Sequence, residues 1–423
     1  MSIEEIPLKL VCTESNSTRK EVSFVSEDLS HSTTQNSGNK LKGFMILVLL
    51  LIPLNVGMKI ALFSRDKHVR IYFKDTFAGE SSIPDIIWGL TNSMFPLGGG
   101  IGALIISFIP NYIGRKNSVV LCIIIGIVGQ TMLYISYINQ IYIFFVVARF
   151  LDGLSSGGIL NVGLCYFFDV LPNSCTSLCQ PLIQLCMNFG LAVSTLLSID
   201  KIIHGNWIIT STPLLASQLI LVVNLLFLPE SPQFTYQKTN DAAKTRKIIE
   251  KLRGINYKGV ESELEIIMSE KEINAGVESI SILAFLKDPN LSASIFVMSI
   301  IQLFQQFSGI NAIILYANDF MIKSNFVQED LGVFLMIVLC LIGSFIFTPF
   351  LTRFNSKVMI LIGYLGMSLF FFAAFTSWRI NASTLITVFC LGGFLFIFQA
   401  GPGESYYNPF LWMSNFYLLF YSP

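Results

Sequence analysis

The chain has 423 residues, of which 53% are hydrophobic and 13% charged, a composition that excludes a soluble globular protein. Its 27 Lys and Arg balance its 27 Asp and Glu, so no net basic field is available to hold nucleic acid, and nucleic-acid binding is excluded as well. The eight cysteines form neither a disulfide framework nor a CxxC metal site. Residues 1–42 carry scattered charges and many Ser and Thr, which predicts a cytosolic tail and not a removable signal peptide.

Apolar runs of the length that crosses a bilayer, about 20 residues as a helix, recur along the rest of the chain. Six precede a polar stretch, near residues 44–63, 86–108, 118–138, 143–168, 180–199 and 208–228, and four come after it, near 291–316, 331–351, 358–378 and 383–402. A last apolar piece, 409–421, is too short to span as a helix. The sequence therefore predicts an all-α polytopic membrane protein with about ten full spans and a remnant.

The polar stretch divides the chain into four predicted segments: a cytosolic tail over 1–42, a six-helix half over 43–228, a cytosolic linker over 229–289 and a C-terminal half over 290–423. Helical spacing of apolar residues within 241–253 predicts an amphipathic helix in the linker.

A weak internal repeat relates the two halves. An Ile-Gly pair precedes a lysine with the same spacing in each half, at Gly102 and Lys116 and at Gly343 and Lys357. Such a repeat indicates two related halves, as in secondary transporters.

The distribution of Lys and Arg predicts the orientation in the membrane. Eighteen lie in the tail, the linker and the other segments on the same side, and seven lie in the segments on the opposite side. Because cations are enriched in cytoplasmic loops, the N-terminus is expected in the cytosol.

No pattern typical of nucleophilic catalysis, metal binding or phosphate binding occurs, so neither an enzyme nor a cofactor is expected. The glycines of Gly98-Gly99-Gly100-x-Gly102 lie in mid-span, where they favour close helix packing over a nucleotide loop.

Amide side chains are concentrated in the run QLFQQFSGINAIILY, at Gln302, Gln305, Gln306 and Asn311. An amide inside a span is costly unless it is hydrogen-bonded or faces water. Because amides both donate and accept, they suit a neutral polyhydroxyl ligand. Contacts between spans are the alternative interpretation, but four amides within ten residues favour a binding face.

Further polar residues lie inside other spans. Gln184, Gln399 and Asn55 add neutral amides, so the cavity they would line is unsuited to holding an ion tightly. Charged residues inside spans are Lys59, Arg149, Asp152 and Asp169. Arg149 and Asp169 are expected near the interfaces, where they could snorkel or pair. Lys59 could equally snorkel from the first span or take part in the cavity.

Several motifs resemble the facilitative hexose transporters, the sugar porter branch of the major facilitator superfamily. They include Gly114-Arg115-Lys116, Pro229-Glu230-Ser231-Pro232, Gln305-Gln306-x-Ser308-Gly309-x-Asn311 and Gly401-Pro402-Gly403. The resemblance implies the major facilitator fold, with a hexose bound at the midplane between two halves that rock in alternating access. Because Asn55 stands where proton-coupled relatives carry an acid, it implies uniport. The partners it implies are the hexose and the lipid bilayer, and the plasma membrane is the expected location.

The resemblance also implies which residues act. The substrate-binding positions are Gln184, Gln305, Gln306, Asn311, Gln399, Tyr407, Trp412 and Asn415; among these, Gln399 replaces an acidic contact of the family and Tyr407 a tryptophan, while Cys340 occupies the position of a family asparagine. The positions for conformational gating are Arg115, Lys116, Arg149, Asp169 and Glu230.

Two departures from the family pattern favour an alternative function. Arginines of the family's inner-face network are replaced at Tyr112, Thr176, Gln233 and the triplet 355–357, which should shift the equilibrium towards the inward-facing state. A motif resembling helix eleven, at 412–416, comes nine residues after Gly403, so an internal deletion and a missing helix twelve are expected. The alternative is a transport-dead homologue that acts as a sugar-binding sensor or associates with an intact transporter and modulates it.

Overall fold

The computed structural model describes residues 38–62, 66–73, 83–171, 173–199, 202, 206–254, 257–276, 289–317, 320–321, 329–351, 356–380 and 384–403. These residues form helices and turns and no strand, which confirms the all-α class. The helices are α1 (Gly38–Ala61), α2 (Asp66–Tyr72), α3 (Asp85–Ile106), α4 (Pro110–Ile113), α5 (Arg115–Asn139), α6 (Tyr142–Val170), α7 (Asn173–Leu197), α8 (Thr212–Phe227, preceded by a 3-10 turn at Trp207–Ser211), α9 (Pro232–Thr239), α10 (Ala242–Arg253), α11 (Val260–Gly276), α12 (Pro289–Phe307), α13 (Ile310–Leu315), α14 (Glu329–Leu351), α15 (Ser356–Arg379) and α16 (Thr384–Phe398).

The predicted spans coincide with apolar helices. Six helical segments of the described chain are both long and apolar enough to cross a membrane: α3, α5, α6, α8 with its preceding turn, α14 and α15. The other four predicted spans coincide with shorter apolar helical stretches, Val48–Ala61, Leu182–Leu197, Ser299–Leu315 and Leu385–Phe398. The polytopic membrane architecture is thereby confirmed. The predicted remnant at 409–421 lies outside the described residues.

Glycines let α3 and α6 pack with their backbones in contact, as the sequence predicts. A Cβ added at Gly98 or Gly102 would collide with the carbonyl oxygen of Phe150 or Leu154 on α6. In return, a Cβ at Gly153 would collide with the backbone of α3. Small residues are the usual means of close helix approach in membranes, where apolar side chains gain little by leaving lipid.

The helices pack in a similar pattern before and after the linker. In the N-terminal half, α6 packs against both α3 and α5, and α8 packs against α1 and α5. In the second half, α16 packs against both α14 and α15. The two halves meet where α7 packs against α14, and apolar residues of α7, α13, α14 and α16 form a common core there.

The linker forms a small helical unit with its own apolar core, which includes Tyr236, Ile249 and Leu264. The amphipathic pattern correctly predicts α10, whose start is capped by Asp241, which accepts a hydrogen bond from the backbone N–H of Lys244 at 3.0 Å.

One buried arginine holds this unit to the membrane helices. Arg253 donates to both carboxylate oxygens of Glu263, at 2.7 and 3.2 Å, and to the carbonyl oxygen of Val170 at the end of α6.

Candidate functional site

The predicted amide run lies at a break between two helices. α12 ends at Phe307, and α13 begins at Ile310 after Gly309, which has a φ of +81°. An added Cβ at Gly309 would find open space, so the left-handed backbone, and not crowding, is what favours glycine there. The Ser308 hydroxyl donates to the carbonyl oxygen of Gln305 at 2.6 Å and satisfies one of the acceptors left at the helix end.

The amides near this break lie in two different environments. Gln306 and Asn311 are exposed and lie together, with Asn311 Nδ2 donating to Gln306 Oε1 at 2.6 Å. Gln305 is buried, and its Nε2 donates to the carbonyl oxygen of Pro402 in the turn after α16, at 2.7 Å. The structure thus offers an open amide pair at Gln306 and Asn311, while Gln305 ties α12 to the second-half turn.

Amides also join the two halves directly. Gln184 on α7 donates from Nε2 to Gln399 Oε1 at 3.3 Å, and Gln399 Nε2 donates to Cys340 Sγ at 3.0 Å. All three side chains are buried. Among the described residues, Gln184 Oε1 is one of the buried atoms without a hydrogen-bond partner. The resemblance had implied roles for Gln184 and Gln399 separately, and the structure brings them into contact.

A second contact between the halves was not anticipated. Asn188, one turn beyond Gln184 on α7, donates from Nδ2 to Ser344 Oγ on α14. Ser344 lies one turn beyond Cys340 on its own helix. Asn188 and Ser344 each lie four residues after a position that the resemblance singled out, Gln184 and Cys340, and so share a helix face with it. This spacing could have identified both residues from the sequence, but it could not show that they contact each other.

Asn55 lies inside the N-terminal half. Its Nδ2 donates to the carbonyl oxygen of Leu51 at 2.9 Å, and its Oδ1 accepts from the Ser217 hydroxyl at 3.1 Å, which links α1 to α8. The predicted positions Tyr407, Trp412 and Asn415 lie outside the described residues.

A cluster of charged and amide side chains occupies the core of the N-terminal half. Lys59 is 2% exposed, and its Nζ donates to Ser155 Oγ at 2.7 Å and lies 3.9 Å from Asp152 Oδ1. The other carboxylate oxygen of Asp152 accepts from Gln130 Nε2 at 2.7 Å. The snorkelling interpretation of Lys59 is therefore wrong, because its ammonium group points into the helix bundle.

Arg149 belongs to the same region and is buried among the helices. It is 1% exposed, its Nη1 donates to the carbonyl oxygen of Lys59 at 3.4 Å, and its guanidinium carbon lies 4.7 Å from the centre of the Phe95 ring. Close helix packing, with glycines of α3 and α6 in backbone contact, surrounds the side chain with protein. Arg149 is thus separate from the charged network around Arg115.

That second network lies at the ends of α5 and α6. Arg115 forms an ion pair with Asp169, which also accepts from the Ser231 hydroxyl at 2.6 Å. Gln233 accepts a weak hydrogen bond from Arg115 at 3.5 Å, so an amide stands where the family pattern has an arginine.

Glu230 completes the network through the backbone. It accepts from the N–H of Lys116 at 2.8 Å, and a carboxylate at the start of α5 interacts favourably with the helix dipole. Lys116 Nζ donates to the carbonyl oxygen of Leu228 at 3.0 Å. Four of the five predicted gating residues, Arg115, Lys116, Asp169 and Glu230, therefore lie together.

Known proteins resemble this chain in sequence and in structure. The sequence model of the family described as "Sugar (and other) transporter" matches residues 22–409. The chain belongs to this sugar transporter family. The expected family is thereby confirmed. The relatives that the chain matches are transporters and not enzymes.

Individual relatives are moderately similar. Facilitated glucose transporter member 3 of solute carrier family 2 from Gallus gallus is 24% identical, and the match covers 80% of this chain and 70% of that protein. Member 5 from Mus musculus is 28% identical over 64% of this chain, which spans 55% of the length of that protein. The structure resembles the partially occluded inward-open xylose transporter XylE from E. coli, with a TM-score of 0.72, 17% identity and coverage of 88% of this chain and 87% of that one. This likeness confirms the major facilitator fold.

Proposed function

We propose that this sugar transporter family member binds a hexose between its two halves and carries it by facilitated uniport through alternating access. The observation that supports the proposal best is the convergence of neutral amides from both halves, with Gln184 facing Gln399 and the open pair Gln306 and Asn311 close to the bend at Gly309. These groups can donate to and accept from sugar hydroxyls. The curated relatives with glucose transporter names agree with a hexose as substrate.

Uniport is proposed from the contacts of Asn55. Its amide is used in hydrogen bonds to Leu51 and Ser217, so this position of the first span carries a neutral structural group. The gating residues proposed are the cluster of Arg115, Lys116, Asp169 and Glu230. We place the protein in the plasma membrane with a cytosolic N-terminus, in keeping with the cation distribution.

The test is binding and flux measured on the same full-length protein. Hexose binding to the purified protein, monitored by thermal stabilisation, and equilibrating uptake of labelled glucose and fructose into proteoliposomes are both expected. Absence of binding to any hexose would overturn the proposal.

One observation favours the alternative of a sugar-binding homologue without flux. The inner-face network has Gln233 beside Arg115, where the family pattern has an additional arginine. Binding without uptake, with changed uptake when an intact relative is co-reconstituted, would support this second function.

A further inference from the structure

Asn188 and Ser344 form a buried polar contact between the halves, one turn along α7 and α14 from Gln184 and Cys340. Asn188 is 4% and Ser344 1% exposed. Their neighbours on the same helices, Leu191 on α7 and Ile337 on α14, belong to the apolar core shared by the two halves. Apart from the bond to Asn188, the Ser344 hydroxyl is placed to donate to the carbonyl oxygen of Cys340 at 3.2 Å.

Such a pair does little for the closed contact itself. Burying an amide and a hydroxyl costs desolvation that their mutual hydrogen bond roughly offsets, and apolar side chains of similar size would pack there equally well. The polar groups become useful when α7 and α14 separate, because Asn188 and Ser344 then face water or a ligand. This step rests on the proposed alternating access.

The chemistry of the opened pair matches a sugar hydroxyl. Asn188 Nδ2 can donate to the hydroxyl oxygen, and Ser344 Oγ can accept the hydroxyl proton. The unpartnered Gln184 Oε1, one turn away on the same helix, offers another acceptor. The residues of these contacts, Gln184, Asn188, Cys340, Ser344 and Gln399, are uncharged, which favours a neutral sugar over a uronate or an amino sugar.

We infer that Asn188 and Ser344 are substrate-contacting residues that determine specificity, and that one hydroxyl of a neutral hexose replaces their mutual hydrogen bond. The inference deepens the proposed function and depends on it. A site built to hydrogen-bond a hydroxyl discriminates against the analogue that lacks it, because its buried polar groups are then left unpaired.

The experiment measures binding of D-glucose, D-fructose and their monodeoxy analogues to the purified full chain. The wild type is expected to bind one deoxy analogue about tenfold more weakly than the parent sugar. Asn188→Val and Ser344→Ala should each remove this discrimination for the same analogue, and the double variant should add nothing to either single variant. Ser377→Ala is the matched control, since it removes another buried hydroxyl bond of the second half, to Thr387 at 3.0 Å, and should leave the discrimination unchanged.

The outcomes separate the two proposals. If the wild type binds none of the sugars, the proposed function fails. If it binds and discriminates, and both variants keep the same profile, the pair only packs the halves together and the inference is overturned. Should Asn188→Val not fold, as judged by size-exclusion chromatography, Ser344→Ala alone decides, because it removes a single oxygen atom.

Discussion

Removing Asp152 should destabilise the protein more than removing Lys59, although the two residues interact with each other. The cluster in the N-terminal half contains two cations, Lys59 and Arg149, and one carboxylate, all buried. Among the described residues of α1, α5, α6 and α8, the only other carboxylate is Asp169, which pairs with Arg115 at the far end of α6. Asp152 therefore balances the charge of both cations.

The expected magnitudes depend on the charges that each substitution leaves in the cluster. Asp152→Asn leaves two buried cations and no carboxylate among these helices to balance them, and breaking a buried pair in this way costs about 3–5 kcal/mol. Lys59→Met leaves Arg149 and Asp152 with opposite charges on the same face of α6. It mainly removes the bond from the charged ammonium group to Ser155, which is worth about 1.5–3 kcal/mol. The double variant leaves a single positive charge in the cluster and should lie between the two.

The assay is thermal unfolding of the purified variants in detergent, measured as the loss of the monodisperse peak. Asp85→Asn serves as the control, since its carboxylate is 92% exposed and pairs with Arg70 at the surface, so its loss should cost no more than about 1 kcal/mol. If Lys59→Met lowers the thermal stability as much as Asp152→Asn does, or more, Asp152 does not balance the charge of both cations.

Three further predictions concern the proposed site and gate. Gln306→Ala and Asn311→Ala should each weaken hexose binding by about 1–3 kcal/mol in isothermal titration, and unchanged affinity would show that this open amide pair does not contact the sugar. With Asn55 in place of an acid, a pH gradient across proteoliposomes should not drive sugar accumulation; accumulation on acidifying one side would contradict uniport. Asp169→Asn removes the carboxylate that Arg115 and Ser231 share. The thiol of Ser231→Cys should therefore react faster with a thiol reagent when Asp169→Asn is also present than when it is absent. Equal rates would show that Asp169 does not hold this contact closed.

The helices could be predicted because the bilayer imposes a simple rule. Every backbone polar group of a span must be satisfied within it, so an apolar run of sufficient length becomes a helix whatever its neighbours are. The close approach of α3 and α6 was predictable for a similar reason, since Gly98 and Gly102 remove the side chains that would separate the backbones. The amphipathic helix α10 was predictable from local spacing and an Asp cap.

The partners of polar side chains could not be predicted in the same way. The sequence identified Gln184, Gln305, Gln306, Asn311 and Gln399 as candidates, but it treated the amide run as one face. The structure divides it within α12. Gln305 is buried and bonds to the turn after α16, whereas Gln306 is exposed and bonds to Asn311 across the turn at Gly309.

The all-α membrane architecture, the family pattern and the residue types available to a sugar can all be inferred without coordinates. These features depend on composition and short-range spacing, which each segment carries alone. The tertiary structure was needed to show that Lys59 and Arg149 both lie near Asp152 in the core, and that Asn188 meets Ser344 across the halves. Hydrogen bonds and ion pairs between helices depend on rotation, depth and crossing angle, which packing sets after the helices have formed, so no local pattern encodes them.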